Sequence, residues 1–350
     1  MHDVFLNQIA TAVPPHQVHK AFEAFAARQA LGRDGTAFAR MAGRSGIGSR
    51  FSVLEASEPL GSGTACGFYA RGSTFPSTAT RMRRWEQTAP GLADAAIEKL
   101  GIEDSGITHL IIATCTGFVA PGLDRHIISR FGLSRQVERT MVGFMGCQAA
   151  INALKVGWHI VRSQKQARVL VVCLELCTLH LQDTPALEQL LCFLLFADGC
   201  GAALLSAEPG GLLVEGFDSA MMPEAADQIT WRIGDAGFDM TLSGMLPFTL
   251  AHCLPELAPR MLAGRAAREI DLWAVHPGGR SILDAVGHGL DLPAEALACS
   301  RGVLADFGNM SSATVLFVLE RMMRERQGGH GCALAFGPGL SAEAMRFEAA

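Results

Sequence analysis

Two stretches of the chain can be laid over each other, and this overlap constrains the fold more than any other feature. In the first, the apolar run ITHLIIAT leads, from Ile107 to Cys147, to a Gly-Cys pair. The helical pattern CQAAINALKVGWHIVRSQ and the apolar run RVLVVCLEL follow. In the second, IDLWAVHPG leads, from Ile270 to Asn309, to a Gly-Asn pair, then SSATVLFVLERMMRE and CALAFGP. Apolar residues recur three and four apart in each helix, the pattern of a helix packed on a sheet. Strands alternating with helices predict right-handed crossovers and a parallel-rich sheet in an α/β fold. RVLVVCLEL and DLWAVHPGG are apolar almost throughout, which suits strands covered on both faces. The expected organisation is two related α/β halves, 1–205 and 206–350, sharing one core because no long linker parts them. ADGCGAALLSAEPGGLLVEGF, with Pro-Gly-Gly between apolar runs, reads as a hairpin joining the halves.

Composition supports this and closes off other classes. Apolar residues make up 49% of the 350 residues and charged residues 18%, a balance that favours a large core over disorder. No run of about 18 apolar residues escapes a charge. LLCFLLFADGCGAALL is broken by Asp198 and glycines, so no membrane span is expected. A net charge of −5 gives no basic footprint for nucleic acid. MHDVFLNQIA carries no signal-peptide pattern, and ten cysteines in that setting point to reduced thiols and a cytoplasmic protein. Cys173, Cys177 and His180, followed by Cys192 and Cys200, form the arrangement most worth testing as a metal set. Cys173 lies inside an apolar run and no CxxC pair occurs, so core thiols and no metal are expected.

Three chemically capable residues fall where sites gather in α/β sheets, at strand ends and helix starts. The overlap puts Cys147 and Asn309 at matching places, each opening a helix, and His276 just after the strand that opens the second half. At a helix N-terminus Cys147 is expected to be drawn toward thiolate. Gly146, Ala149 and Ala150 leave room for backbone amides to face a carbonyl oxygen; a packed core thiol is the alternative. His276 can pair with the thiolate and donate to a substrate carbonyl, or merely cap a strand end. The Pro-Gly-Gly after it marks either a ligand's approach or a tight turn. Asn309 is either a helix N-cap or an amide donor to a developing enolate. There is no GxSxG elbow, no phosphate-binding GxxxxGK loop and no HExxH zinc motif. The glycine run GSGTACG lacks a preceding strand, which weakens a dinucleotide reading.

Together these residues resemble the thiolase-like condensing enzymes, and among them the type III polyketide synthases of the chalcone synthase family. The resemblance runs along nearly the whole chain: TAVPPHQV near the start, Gly-Cys at 146–147, LLFADG at 194–199, AVHPGG at 274–279, FGNMSSATVLFVL at 307–319 and FGPGL at 336–340. Relatives that extend carrier-protein substrates usually show HQAN-like and GNTSA-like motifs instead. The resemblance implies a thiolase-like fold of two βαβαβ halves in an α-β-α-β-α stack. It also implies a homodimer, and coenzyme A thioesters as substrates with no metal or redox cofactor. On this resemblance Cys147 attacks the thioester of a starter acyl-CoA, while His276 and Asn309 hold the carbonyl of malonyl-CoA. Decarboxylation then gives an enolate that attacks the acyl group on Cys147. Phe196 matches the phenylalanine between the coenzyme A tunnel and the cavity. Arg40 and Arg44 match basic residues that hold coenzyme A phosphates, with Ala37 in place of the first lysine of that group. Gly278 and Ser281 match backbone contacts to the same ligand, and Gly337, Pro338 and Gly339 match the cavity wall.

Departures from the plant pattern bear on product. Met240 stands for a second gatekeeping phenylalanine, Ala120 for a methionine that crosses the dimer interface, Cys115 for a threonine, and Trp231 for a small floor residue. Smaller or more pliable side chains at 120 and 240 are expected to open room for an alkyl tail, and Trp231 to close room for cyclisation. The resulting expectation is a fatty acyl starter and an alkylresorcinol or alkylpyrone. QAAIN after Cys147 leans toward the rival reading, a ketoacyl synthase III-like enzyme making one condensation on an acyl carrier protein. A non-catalytic relative is the other rival, and the intact Cys–His–Asn set speaks against it.

Overall fold

The computed structural model describes residues 2–30, 33–55, 68–69, 75–102, 106–326 and 328–349; the GSGTACG run lies outside them. The first part of the chain gives β1 (Phe5–Ala12), β2 (His16–Gln17), α1 (His19–Gln29), α2 (Arg33–Ala42), β3 (Phe51–Ser52), α3 (Thr78–Leu100), β4 (His109–Thr114) and α4 (Leu123–Arg130). It continues through β5 (Glu138–Gly143), α5 (Ala149–Ser163), β6 (Val169–Leu176), α6 (Leu187–Leu195) and β7 (Asp198–Ser206). Then come β8 (Leu212–Met221), β9 (Ile229–Gly234), β10 (Gly237–Leu242), α7 (Leu246–Met261) and β11 (Leu272–Val275). The last elements are α8 (Arg280–Gly289), α9 (Ala298–Phe307), α10 (Thr314–Arg324), β12 (Gly329–Gly337) and β13 (Ser341–Ala349).

Nine strands form one sheet in the order β11-β12-β13-β8-β1-β7-β6-β4-β5. Counted outward from the contact between β1 and β8, one side runs β1-β7-β6-β4 and the other β8-β13-β12-β11. Both sides pair antiparallel, antiparallel, then parallel. The stretch read as a joining hairpin is therefore not one. β1 inserts between β7 and β8, pairing Phe5 and Leu6 with Leu213 and Leu212. Nor is the sheet parallel-rich, since five of its eight strand contacts are antiparallel. Continuous apolar runs report burial on two faces, not strand direction. β7 is antiparallel to both neighbours and yet every one of its residues is buried.

Helices cover both faces and the space between. α5 and α10 pack in a central layer, where Leu154, Val161, Val315 and Leu319 are fully buried among β-strand residues such as Val171 and Phe347. α1, α3, α4 and α6 cover the outer face of the β1–β5 side through Phe22, Trp85, Ile127 and Leu190. α7, α8 and α9 cover the other outer face through Leu250, Leu283 and Leu304. The result is the α-β-α-β-α stack that the resemblance implies. Both central helices begin at the same level of the stack. Beside them sits the two-stranded hairpin β9–β10, which pairs Trp231 with Met240.

Candidate active site

The turn that carries Cys147 is shaped by two residues in the left-handed region, Phe144 (φ 60°) and Gly146 (φ 70°). A side chain at 146 would put its Cβ 2.2 Å from Cδ of Pro338, so glycine is required there by space as well as by backbone. The chain then makes a short 3₁₀ turn, Gly146–Gln148, into α5. Asn309 is presented in the same way. Gly308 (φ 73°) precedes it, and the 3₁₀ turn Ser311–Ala313 leads into α10. His276 follows β11 and is fixed by its backbone, its N–H donating to the Leu334 carbonyl at 2.7 Å.

All three residues are buried and line one cavity of about 890 Å³, whose exposed lining includes Arg44 and Arg280. Cys147 Sγ lies 3.7 Å from the Ser311 hydroxyl, to which it donates. Asn309 Oδ1 accepts from the Ser311 amide at 2.8 Å and the Thr314 hydroxyl at 3.4 Å. This leaves its Nδ2 to donate, one bond going to the Gly278 carbonyl at 3.2 Å. Asn309 is not the N-cap, a place taken by Met310, but its oxygen closes a local turn with the Ser311 amide and so fixes which way the amide nitrogen points. Neither ring nitrogen of His276 has a hydrogen-bond partner among the described residues.

Burial acts against the pull of the helix start on Cys147. Burial pushes the Cys147 thiol up to about 12, with Ser311 and Asn309 pulling it down less strongly and Glu175 pushing it further up. From the ordinary 9 that is about 4 kcal/mol against thiolate, whereas a helix N-terminus supplies about 2 kcal/mol at most. Burial likewise holds the His276 imidazole down at about 3. Burial thus favours the neutral thiol and the neutral imidazole over their charged forms.

Of the other residues singled out from the sequence, Arg44, Phe196, Gly278, Ser281, Cys115, Trp231, Met240, Gly337 and Pro338 all line this cavity. Arg40 does not; it is exposed on α2. Ala120 does not line it either. It is exposed on the loop between β4 and α4, outside the cavity of its own chain, so it cannot shape that cavity from within. Trp231 donates from Nε1 to the Cys115 carbonyl at 2.8 Å. His180, considered for a metal set, is fully buried. Its Nε2 lies 2.8 Å from the Thr116 carbonyl, its Nδ1 accepts from the Phe238 amide, and its ring stacks on Phe238 at 4.1 Å. It ties the β9–β10 hairpin to the end of β4. Phe196 is held through its carbonyl, which accepts from the buried Arg50.

Sequence reasoning missed Glu175. It is fully buried on β6 and accepts from the Ser312 hydroxyl at 2.6 Å, the Thr116 hydroxyl at 2.8 Å and the Cys115 amide at 2.9 Å. Burial raises its carboxyl to about 7 despite these donors. The available signal was a lone acid in the otherwise apolar RVLVVCLEL. Gln148, also missed, gives QAAIN a packing role. Its Oε1 accepts from Ser341 at 3.0 Å, and it packs against Gly337 so closely that a Cβ there would lie 2.6 Å from its Cδ.

Comparison with known proteins agrees with this architecture. Residues 9–209 match the family model for chalcone and stilbene synthases, N-terminal domain, and residues 216–349 match that for the C-terminal domain. The chain is 36% identical over 280 residues to the alpha-pyrone synthesis polyketide synthase-like Pks18 of Mycobacterium tuberculosis, covering 75% of this chain and 71% of that protein. It is 30% identical over 269 residues to the 1,3,6,8-tetrahydroxynaphthalene synthase of Streptomyces coelicolor, with coverage of 75% and 71%. The crystal structure of PKS-I from the brown alga Ectocarpus siliculosus superposes with a TM-score of 0.88 at 28% identity, covering 100% of this chain and 99% of that one. A thiolase-like stack of this kind defines a condensing enzyme, an acyltransferase. The chain belongs to the chalcone and stilbene synthase family, the type III polyketide synthases, which use coenzyme A thioesters.

Proposed function

We propose that this enzyme extends a fatty acyl-CoA starter with several malonyl units and releases an alkylresorcinol or alkylpyrone. The observation that carries the reading is the convergence of Cys147, His276 and Asn309 on one cavity of about 890 Å³. Its inner wall is built from apolar side chains such as Leu191, Leu194, Ile229, Leu250 and Phe336. That volume is near the upper end of the roughly 300–1,000 Å³ usual for ligand sites, and the wall offers few partners to a polar starter. The relative Pks18, by its name an alpha-pyrone synthesis enzyme, supports the same product class.

The Cys147 proton passes to His276 as the starter binds. The thiolate then attacks the acyl carbonyl, and coenzyme A leaves with a proton. Malonyl-CoA follows, its thioester oxygen taking hydrogen bonds from the His276 ring and the Asn309 amide. The bond to its carboxylate breaks, carbon dioxide departs, and the electron pair rests on an enolate held by those donors. The enolate carbon attacks the acyl group, the bond to Cys147 breaks, and the lengthened chain on coenzyme A returns to the thiol. Asn309 donates without carrying charge, which suits a residue this buried. Loss of carbon dioxide drives the step, so the reading requires no metal or redox cofactor. We place the enzyme in the cytoplasm as a homodimer, with Ala120 on the contacting face; among the described residues no helix is long and apolar enough to cross a membrane. Size-exclusion chromatography with light scattering tests the dimer.

Incubation with malonyl-CoA and acyl-CoAs of graded chain length, read by mass spectrometry, tests the function. Long-chain starters with two or more extensions and ring closure are expected. A preference for acetyl, aromatic or malonyl starters overturns the fatty acyl reading, and a single extension favours the ketoacyl synthase III-like one.

A further inference from the structure

Resting on that reading, we propose that Arg280 is a specificity residue for the phosphates of coenzyme A, supplying the cation that Ala37 leaves out of α2. Two segments meet at the cavity mouth. One follows α2 and brings Arg44 and Ser45; the other opens α8 and brings Arg280 and Ser281. The Arg44 guanidinium has no hydrogen-bond or ion-pair partner among the described residues and is exposed. Arg280 spans the gap, its Nη1 donating to the Arg44 carbonyl at 3.4 Å. Its other contact is loose, with Nε 3.6 Å from Asp284 Oδ2, and its side chain is 55% exposed. Asp284 is held more closely by Arg301, at 2.7 Å. Arg44 and Arg280 line the cavity together with the carboxylates Asp284 and Glu188; with Asp284 taken up by Arg301, Arg280 is free to turn its fork toward a phosphate. Arg40, on α2, does not reach the rim, and Ala37 has no charge to offer. A thioester without phosphates gains nothing from this arrangement.

The test compares the wild type with Arg280→Gln on malonyl-CoA and on malonyl N-acetylcysteamine, which shares the reacting thioester but lacks phosphate. Arg280→Gln is expected to raise KM for malonyl-CoA a little over tenfold, about the lower end for a hydrogen bond to a charged group. Neither kcat nor the cysteamine thioester kinetics should change. Adding Ala37→Lys to Arg280→Gln should recover most of the loss, since that position lies one helical turn from Met41 on the same side of α2. Equal losses on both thioesters, or none on malonyl-CoA, overturn the proposal. Calorimetry with coenzyme A and with pantetheine separates it from the functional reading. If the wild type makes no polyketide, coenzyme A must still bind more tightly than pantetheine, and Arg280→Gln must close that gap. Equal binding of the two ligands by the wild type overturns the assignment of Arg280.

Discussion

The carboxyl of Glu175 makes a quantitative prediction about stability and pH. Its ordinary value of 4.5 rises to about 7 in the folded chain because burial penalises its charged form. Between these two values the unfolded chain has lost the proton and the folded chain has kept it, so stability falls as pH rises through that window. The full loss is about 3.4 kcal/mol for a shift of about 2.5 pH units. About 2.5 kcal/mol of it falls between pH 5 and pH 8.5. Glu175→Gln removes the titration while keeping the shape. The two hydroxyl partners, Ser312 and Thr116, can rotate to accept from the new amide, and the Cys115 amide contacts both oxygens, at 2.9 and 3.1 Å, so one acceptor remains for it. The quantity to measure is the difference in urea-unfolding free energy between the variant and the wild type at several pH values. That difference should move in favour of the variant by about 2.5 kcal/mol from pH 5 to pH 8.5, whatever its starting level. A flat difference would refute the reasoning, since it would mean that Glu175 titrates alike in both states. The variant also relieves Cys147 of a neighbouring negative charge, so the pH midpoint of its alkylation by iodoacetamide should move down.

Asn309→Asp keeps the oxygen that accepts from the Ser311 amide but places a carboxylate where the enolate forms. Carbon dioxide release from malonyl-CoA should fall by about 10²–10³, the usual cost of losing one such donor, and near-normal release would remove Asn309 from the proposed step. Trp231→Gly takes the indole away from the Cys115 carbonyl and enlarges the cavity floor. Mass spectrometry should then show longer or more extended products, and an unchanged product set contradicts the role given to Trp231. Gly146→Ala forces a Cβ to within 2.2 Å of Pro338 and a side chain into a left-handed backbone. A loss of about 2–3 kcal/mol is expected in urea unfolding, and an unshifted midpoint contradicts the packing argument.

The parts of the fold that were legible from sequence were those set by local pattern. Apolar runs located β4, β6, β11 and β12, and the three-and-four spacing located α5 and α10, because burial on one or both faces is written into each segment. Strand direction was not legible. β7 is buried along its whole length, as a parallel strand would be, and no residue in it records which neighbour it pairs with. At the site, the Gly-Cys and Gly-Asn pairs were readable as helix starts, but the protonation of Cys147 was not. Its burial is set by Ser311, Pro338 and the β9–β10 hairpin, all distant in sequence. Glu175 shows the same limit, for its four donors come from β4, the turn after it and the start of α10. Ala120 aligned with a family position that acts on the cavity, yet its place on an exposed loop shows that any such action must come from a second copy of the chain.

The paired starts of α5 and α10 explain why one site needs both sides of the sheet. In each, a glycine in the left-handed region turns the chain sharply, and in each a Cβ would strike a neighbour, Pro338 at 2.2 Å or Arg50 Cγ at 2.7 Å. In each, a short 3₁₀ turn then leads into a central helix, so the residue after the glycine is delivered to the middle of the stack. One backbone device thus presents a thiol from one side and an amide from the other. The β1–β8 contact brings the two presentations together, and β11 adds His276 beside Gly278, whose carbonyl holds the amide. A nucleophile alone could be acylated, and two donors alone could stabilise an enolate. Carbon–carbon bond formation needs both within one cavity, and the near-symmetric stack makes them meet without a long loop.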